Sequence, residues 1–416
     1  MTIERVLTSP IATASYYDDQ AAIRAGAERD GFTYVGDPRA PGFHRIRQAG
    51  EGVGVVLVLS DGSRCRGDCV AVQYAGAGGR DGVYLAKDHL PRIDAWLRAV
   101  LEGREVPGFR DAGSLLDQAR IDGKPLHSAE AYGVSQALLF AASRAQRITP
   151  TEVILREYSL EPNPRPIPLL GQCGEDRHDG VDRMILRETD VLPHGLINAP
   201  ALLGEKGEVL RQYLRWVSSR VRTLRADTDY TPDIHLDVYG LVGLLLDGDS
   251  SRTAEFLCRL GEDAGGLSLT IESPVDAGAR GAQIQALGEV HRRIEAQGCN
   301  VLIAADEWCN TLDDVRAFAE TGCCDMIQIK TPDLGALHHS VEAVLACREH
   351  GVAAYLGGSA NETDVSAVAG AHVAMATRPA RLLAKPGLGF DEGYTIMHNE
   401  MKRIAADMAG IGGTAS

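Results

Sequence analysis

The chain has 416 residues, 44% hydrophobic and 24% charged, ordinary values that exclude a disordered or fibrous protein. Its 57 acidic residues outnumber 42 basic ones, giving a net charge of −15, a field that repels nucleic acid and anionic lipid. The first residues hold no apolar signal core, no run is long enough to span a bilayer, and the cysteine count is an odd nine, so a soluble, reduced, cytoplasmic protein is expected.

In chain order, VGVVLVLSDGS (53–63) reads as a strand running into a turn at Asp61-Gly62. Cys65 and Cys69 have metal-like spacing, but no second Cys or His pair completes a zinc site, so the cysteines are expected to be scattered packing thiols. The Gly-rich QYAGAGGRD (73–81) lacks the Lys-Ser/Thr ending of a phosphate loop and is expected to close over a neighbouring site. LAKDHLPRIDAWLRAVLEG and SAEAYGVSQALLFAASRAQ carry helical periodicity. Strands followed by helices predict an α+β domain over residues 1–160.

The proline-rich EPNPRPIP (161–168) opens a second part, 161–416. Eight short apolar runs follow, separated by helical stretches: 167–172, 190–197, 233–240, 267–273, 301–307, 326–330, 352–358 and HVAMAT at 372–377. Eight βα units in about 250 residues predict a TIM (β/α)8 barrel. A doubly wound dinucleotide fold would want a glycine fingerprint after its first strand, which GQCGED (171–176) does not supply.

In such a barrel, function sits where the strands end. Asp237, Glu272 and Asp306 end three consecutive runs at spacings of 35 and 34 residues, so they occupy equivalent positions. Each acid alone would read as a helix cap or a solvated loop charge. Three converging carboxylates cannot all ionise without a cation, and oxygen donors suit a hard ion such as Mg²⁺. Lys330 ends the next run; buried beside a cation, it would have a lowered pKa and act as a general base. Its plain alternative is an exposed lysine opening a loop before Pro332. His194 ends the second run, on the other side of the acids, where it is either a packing residue or a second base. Gln172 and Gln328 could hydrogen-bond a substrate carboxylate or fill the barrel, and Gly357-Gly358-Ser359 could offer backbone N–H groups to an anion or form a simple turn. Barrels with Mg²⁺ and Lys or His bases abstract a proton beside a carboxylate and stabilise the enediolate.

At these residues the sequence resembles the methylaspartate ammonia-lyases of the enolase superfamily. YYDDQAAIRAGAERDGFTYVG, GDCVAVQYAGAGGRD, DVLPHGLIN, IHLDVYG, ADEWCNTLDDV, MIQIKTPDLG, GGSANET and LAKPGLGFDEG carry the resemblance nearly end to end. It implies an enolase-like capping domain on the barrel, a homodimer, Mg²⁺ with K⁺ as activator, and reversible loss of ammonia from 3-methylaspartate to give mesaconate, a step of glutamate degradation. Matched motif by motif, it implies Asp237, Glu272 and Asp306 as metal ligands. Lys330 becomes the base for the (2S,3S) substrate and His194 the group on the opposite face. Gln172, Gln328, Ser359, Ala360 and Gln73 become substrate contacts. The family reads Gly-Gly-Thr-Cys-Asn-Glu-Thr where this chain has GGSANET, so Ala360 replaces a thiol and leaves substrate preference open. Related lyases of other 3-substituted aspartates, or another dehydratase or epimerase of the superfamily, are the alternatives.

Overall fold

The computed structural model describes residues 1–412. The first part is built on a three-stranded antiparallel sheet of β1 (Ile3–Asp18), β4 (Arg47–Leu59) and β5 (Arg64–Cys69), with β4 in the middle. The short ladders β2 (Arg29–Asp30) with β3 (Thr33–Tyr34) and β6 (Arg120–Ile121) with β7 (Lys124–Pro125) decorate it. The turn between β4 and β5 is closed by Asp61, whose carboxylate accepts from the Ser63 N–H at 2.9 Å. The helices Ala86–Leu101 and Ser128–Gln146 form where the periodicity predicts them, and the second packs on the sheet. There Gly67 and Gly133 let helix and strand backbones touch, since a Cβ on Gly67 would meet the Gly133 carbonyl oxygen at 1.9 Å.

Eight parallel strands close the barrel: β8 (Leu169–Leu170), β9 (Val191–His194), β10 (Asp233–Asp237), β11 (Leu269–Glu272), β12 (Leu302–Ala305), β13 (Met326–Ile329), β14 (Ala353–Leu356) and β15 (Arg381–Leu383). Period-2 alternation sorts their side chains. Ile234, Leu236, Ile271, Ile303, Ile327 and Ile329 point outward and are buried under the helices. Leu170, Val191, Ala304, Met326, Tyr355 and Leu383 form a separate cluster filling the bore.

Seven of the eight predicted strands are present; the eighth is misplaced. HVAMAT lies in the buried helix Asp364–Thr377, started by its N-cap Thr363. An apolar run of six fits a core helix as well as a strand. The true closing strand is the three-residue β15, too short to show a period. The cysteine reading also needs a correction. Seven cysteines are buried free thiols, Cys65 and Cys69 among them, but Cys258 and Cys299 are disulfide-bonded, with Cα atoms 5.4 Å apart. Among the described residues, no helix is long and apolar enough to cross a membrane.

Candidate active site

The strand ends bring the predicted residues to one mouth. His194, Asp237 and Glu272 are the last residues of β9, β10 and β11, while Asp306 and Lys330 follow β12 and β13 by one residue. Asp237 and Glu272 are register partners. The chain turns sharply after these tips: His194, Tyr239, Ser273 and Trp308 all have φ between 50° and 65°, the left-handed region that non-glycine residues avoid. Four such residues on neighbouring strand ends mark a place where the surrounding structure holds local strain.

One cavity is lined by Gln73, Gln172, His194, Asp237, Asp306, Gln328, Lys330, Ser359 and Ala360, every predicted site residue except Glu272. Glu272 lies beneath, fully buried. Its Oε1 accepts from Gln328 Nε2 at 2.6 Å, and its Oε2 accepts from the Tyr355 hydroxyl and from His235 Nε2, both at 2.8 Å. Arg381 Nη1 donates to His235 Nδ1 at 2.9 Å, which fixes the tautomer that presents Nε2–H to Glu272. Arg381 also pairs with Asp233 at 3.0 Å, so a chain of charges in the bore braces one carboxylate at the mouth.

Among the described residues, His194, Asp237 and Glu272 can each offer one donor atom within 4.8 Å of the others. Burial and the other site acids push Asp237 and Glu272 well above the ordinary carboxylate range. Two buried acids facing one gap, with oxygen lone pairs to spare, fit a hard divalent cation, which would relieve the repulsion. Asp306 is arranged differently. It lines the same cavity, but its carboxylate accepts from Lys330 Nζ at 2.8 Å and lies 3.7 Å from Arg80 Nη2. Burial works to raise its pKa, yet these two cations hold it below the ordinary value.

The sequence predicts a lowered pKa for Lys330 beside a bound cation; the protein groups by themselves act in the other direction. Burial and Arg80 pull the ammonium down, but Asp306, Asp333 and Glu307 outweigh them and raise it. His194 moves the other way: burial lowers it to about 4, so its ring is neutral at pH 7. The Gln73 amide donates to Asp18 at 2.8 Å, and its backbone N–H donates to the Ser359 hydroxyl at 2.9 Å. The Ser359 N–H is taken by Glu362 at 2.7 Å. The Gln328 carbonyl oxygen is buried with no protein partner.

Arg80 was not singled out from the sequence. It comes from the Gly-rich loop, which lies across the mouth, and it is buried against Asp306, Glu307 and Asp333, the last at 2.8 Å. A second buried pair, Lys385 with Glu362 at 2.9 Å, holds the GGSANET loop, with the ammonium also on the Gly357 carbonyl at 3.0 Å. Lys385→Ala would leave Glu362 buried and unpaired. It is expected to cost about 3–5 kcal/mol in denaturant unfolding.

Residues 1–159 match the family model described as the N-terminus of methylaspartate ammonia-lyase, and residues 162–409 match its C-terminus. The chain belongs to the methylaspartate ammonia-lyase family. The methylaspartate ammonia-lyase of Citrobacter amalonaticus is 50% identical over 98% of each chain, and that of Clostridium tetanomorphum 43% identical over 98% of each. The crystal structure of the Citrobacter amalonaticus enzyme containing (2S,3S)-3-methylaspartic acid superposes with a TM-score of 0.96 at 49% identity, covering 98% of this chain and 100% of that one. The Mg complex of Clostridium tetanomorphum β-methylaspartase gives 0.92 at 42% identity, over 99% of each. Muconate lactonizing enzyme of Pseudomonas putida, 17% identical with a TM-score of 0.60 over 93% of this chain and 89% of that one, shares the fold with this methylaspartate ammonia-lyase family member.

Proposed function

We propose that the chain is a carbon–nitrogen lyase that reversibly eliminates ammonia from 3-methylaspartate to give mesaconate. Family membership over the whole length supports the reaction, and one observation carries the assignment of roles: Lys330 and His194 border one cavity from opposite sides of a buried acid cluster. Asp237, Glu272 and Asp306 would hold Mg²⁺, whose positive charge would face the substrate carboxylate next to the carbon that loses its proton. With Asp306 engaged as a ligand, Lys330 would lose one of the three acids that raise its pKa, leaving burial and Arg80 to pull it down against Asp333 and Glu307. Its amine would then take the C3 proton. His194, neutral at pH 7, can accept a proton on the other face. Gln172, Gln328, Gln73, the Ser359 hydroxyl and the Ala360 backbone N–H position the substrate carboxylates, and the amino group departs as ammonia from C2.

The same reading includes K⁺ as an activator, a homodimer, a cytoplasmic place in glutamate degradation through mesaconate, and a boundary near residue 160 between a capping domain and the barrel. Absorbance of the unsaturated diacid tests the reaction. With Mg²⁺ and (2S,3S)-3-methylaspartate it should rise, and with excess chelator it should not. A chain that releases no unsaturated diacid from methylaspartate, aspartate or larger 3-substituted aspartates sinks the reading. His194→Ala is expected to lose turnover of the (2S,3R) epimer by about a hundredfold or more while sparing the (2S,3S) substrate. Equal loss on both epimers, measured as kcat/KM, would remove its face-specific role.

A further inference from the structure

Away from the barrel mouth, Asp117, His338 and His339 converge where two helices meet. Asp117 sits near the end of helix Phe109–Gln118, and the histidines are in the first turn of helix Leu337–Glu349. His338 Nε2 lies 3.1 Å from Asp117 Oδ2, and His339 Nε2 lies 3.3 Å from Asp117 Oδ1. A tetrahedral ion with bonds near 2.0 Å separates neighbouring donors by about 3.3 Å, and Asp117 Oδ2 lies 3.1 Å from His338 Nε2 and 3.3 Å from His339 Nε2, so each imidazole stands from that oxygen as neighbouring ligands of one ion do.

The ring orientations are built in. His339 Nδ1 donates its N–H to the Leu334 carbonyl at 2.9 Å, the outer contact typical of a metal-bound imidazole. That bond leaves the Nε2 of the neutral ring as a bare lone pair aimed at a carboxylate, an arrangement that calls for a cation or a proton between them. His338 is clamped by the facing helix: a Cβ on Gly113 would meet its ring at 2.5 Å. The two ring centroids lie only 4.0 Å apart, so protonating both would set two positive charges side by side. The site opens onto a surface pocket lined by all three residues, so an ion can reach it from solvent. The other charges lining that pocket are Arg110, Asp313, Arg316 and Glu342, and Arg316 is already paired with Asp313 and Glu342 at 3.4 Å each.

We propose that Asp117, His338 and His339 form a second metal site, for a divalent transition ion of the Zn²⁺ type, stapling the N-terminal part of the chain to the barrel. Two imidazoles and one carboxylate select such an ion over Mg²⁺, which prefers all-oxygen donors. The test counts Zn²⁺ bound per chain by equilibrium dialysis of the full-length protein, with excess Mg²⁺ present to occupy the oxygen-rich site. One Zn²⁺ is expected in the parent chain and in Glu272→Gln, with affinity at least tenfold weaker in His339→Asn and Asp117→Asn. Both weakened variants should keep normal lyase turnover, which shows that they fold. No Zn²⁺ bound by the parent chain, or unchanged affinity in both variants, overturns the proposal. So does loss of the Zn²⁺ in Glu272→Gln, which would place the ion at the barrel mouth.

Discussion

Lys330→Ala is expected to cut kcat for (2S,3S)-3-methylaspartate by roughly 10²–10⁴-fold, the contribution of a positioned general base. Mg²⁺ should still bind, since the substitution leaves Asp237 and Glu272 untouched. The reason lies in the Asp306 pairing. Lys330 is the amine beside the acid cluster, 2.8 Å from Asp306, and only 15% of its side chain is exposed, so a solvent base replaces it poorly. Lys330→Arg separates two explanations. Arginine keeps the charge beside Asp306 but cannot give up its proton at ordinary pH. If the lysine serves only as a counter-ion, Lys330→Arg will keep most of the turnover; if it is the base, both variants fail together. Near-normal kcat in Lys330→Ala would remove it from the chemistry altogether.

The pattern of spacing made most of this site legible. Asp237, Glu272, Asp306, Lys330 and His194 end consecutive runs, and strand ends are where a barrel places function. What the spacing could not show is which acid pairs with which cation. Asp306 pairs with Lys330 and is also approached by Arg80, which arrives from a loop more than two hundred residues earlier in sequence, and no local pattern announces that meeting. The bore was legible in principle and went unread. His235 shares a strand face with Asp237, and Tyr355 sits mid-strand in VAAYLGG, so the parity that found Glu272 also aims these two inward. Arg381 was hidden by the misplacement of the eighth strand: with HVAMAT taken as the strand, the arginine fell in a loop. The long β1 was also missed. Its outer positions are partly exposed, and Pro10 interrupts the run, so alternation is weak.

The share of the metal-free protein's stability that comes from its site acids is expected to fall as pH rises from about 4. Asp237 and Glu272 are raised in the folded state by burial and by the other site acids, so the native chain keeps protons that the unfolded chain releases from about pH 4 upward. Stability from these groups is therefore complete below the unfolded value and falls as pH climbs toward the folded ones. His194 contributes with the opposite sign. Its folded value of about 4 lies below the unfolded one near 6.5, so its share of stability grows between those values and is constant above pH 7. Thermal melts in chelator of the parent chain beside Glu272→Gln isolate the acid, because Cys323, lowered to about 7, and the remaining titrating groups are common to both. The parent's melting temperature relative to Glu272→Gln should fall as pH rises, and saturating Mg²⁺ should raise the parent's, because binding to the folded state alone stabilises it. Glu272→Gln should flatten the chelator slope and abolish the Mg²⁺ gain, while Gln in the same place can still accept from Tyr355 and His235. A melting-temperature difference between the parent and Glu272→Gln that stays level or grows in the parent's favour with pH in chelator would mean that Glu272 is not held protonated. A Glu272→Gln chain that keeps the Mg²⁺ gain would take Glu272 out of the ligand set.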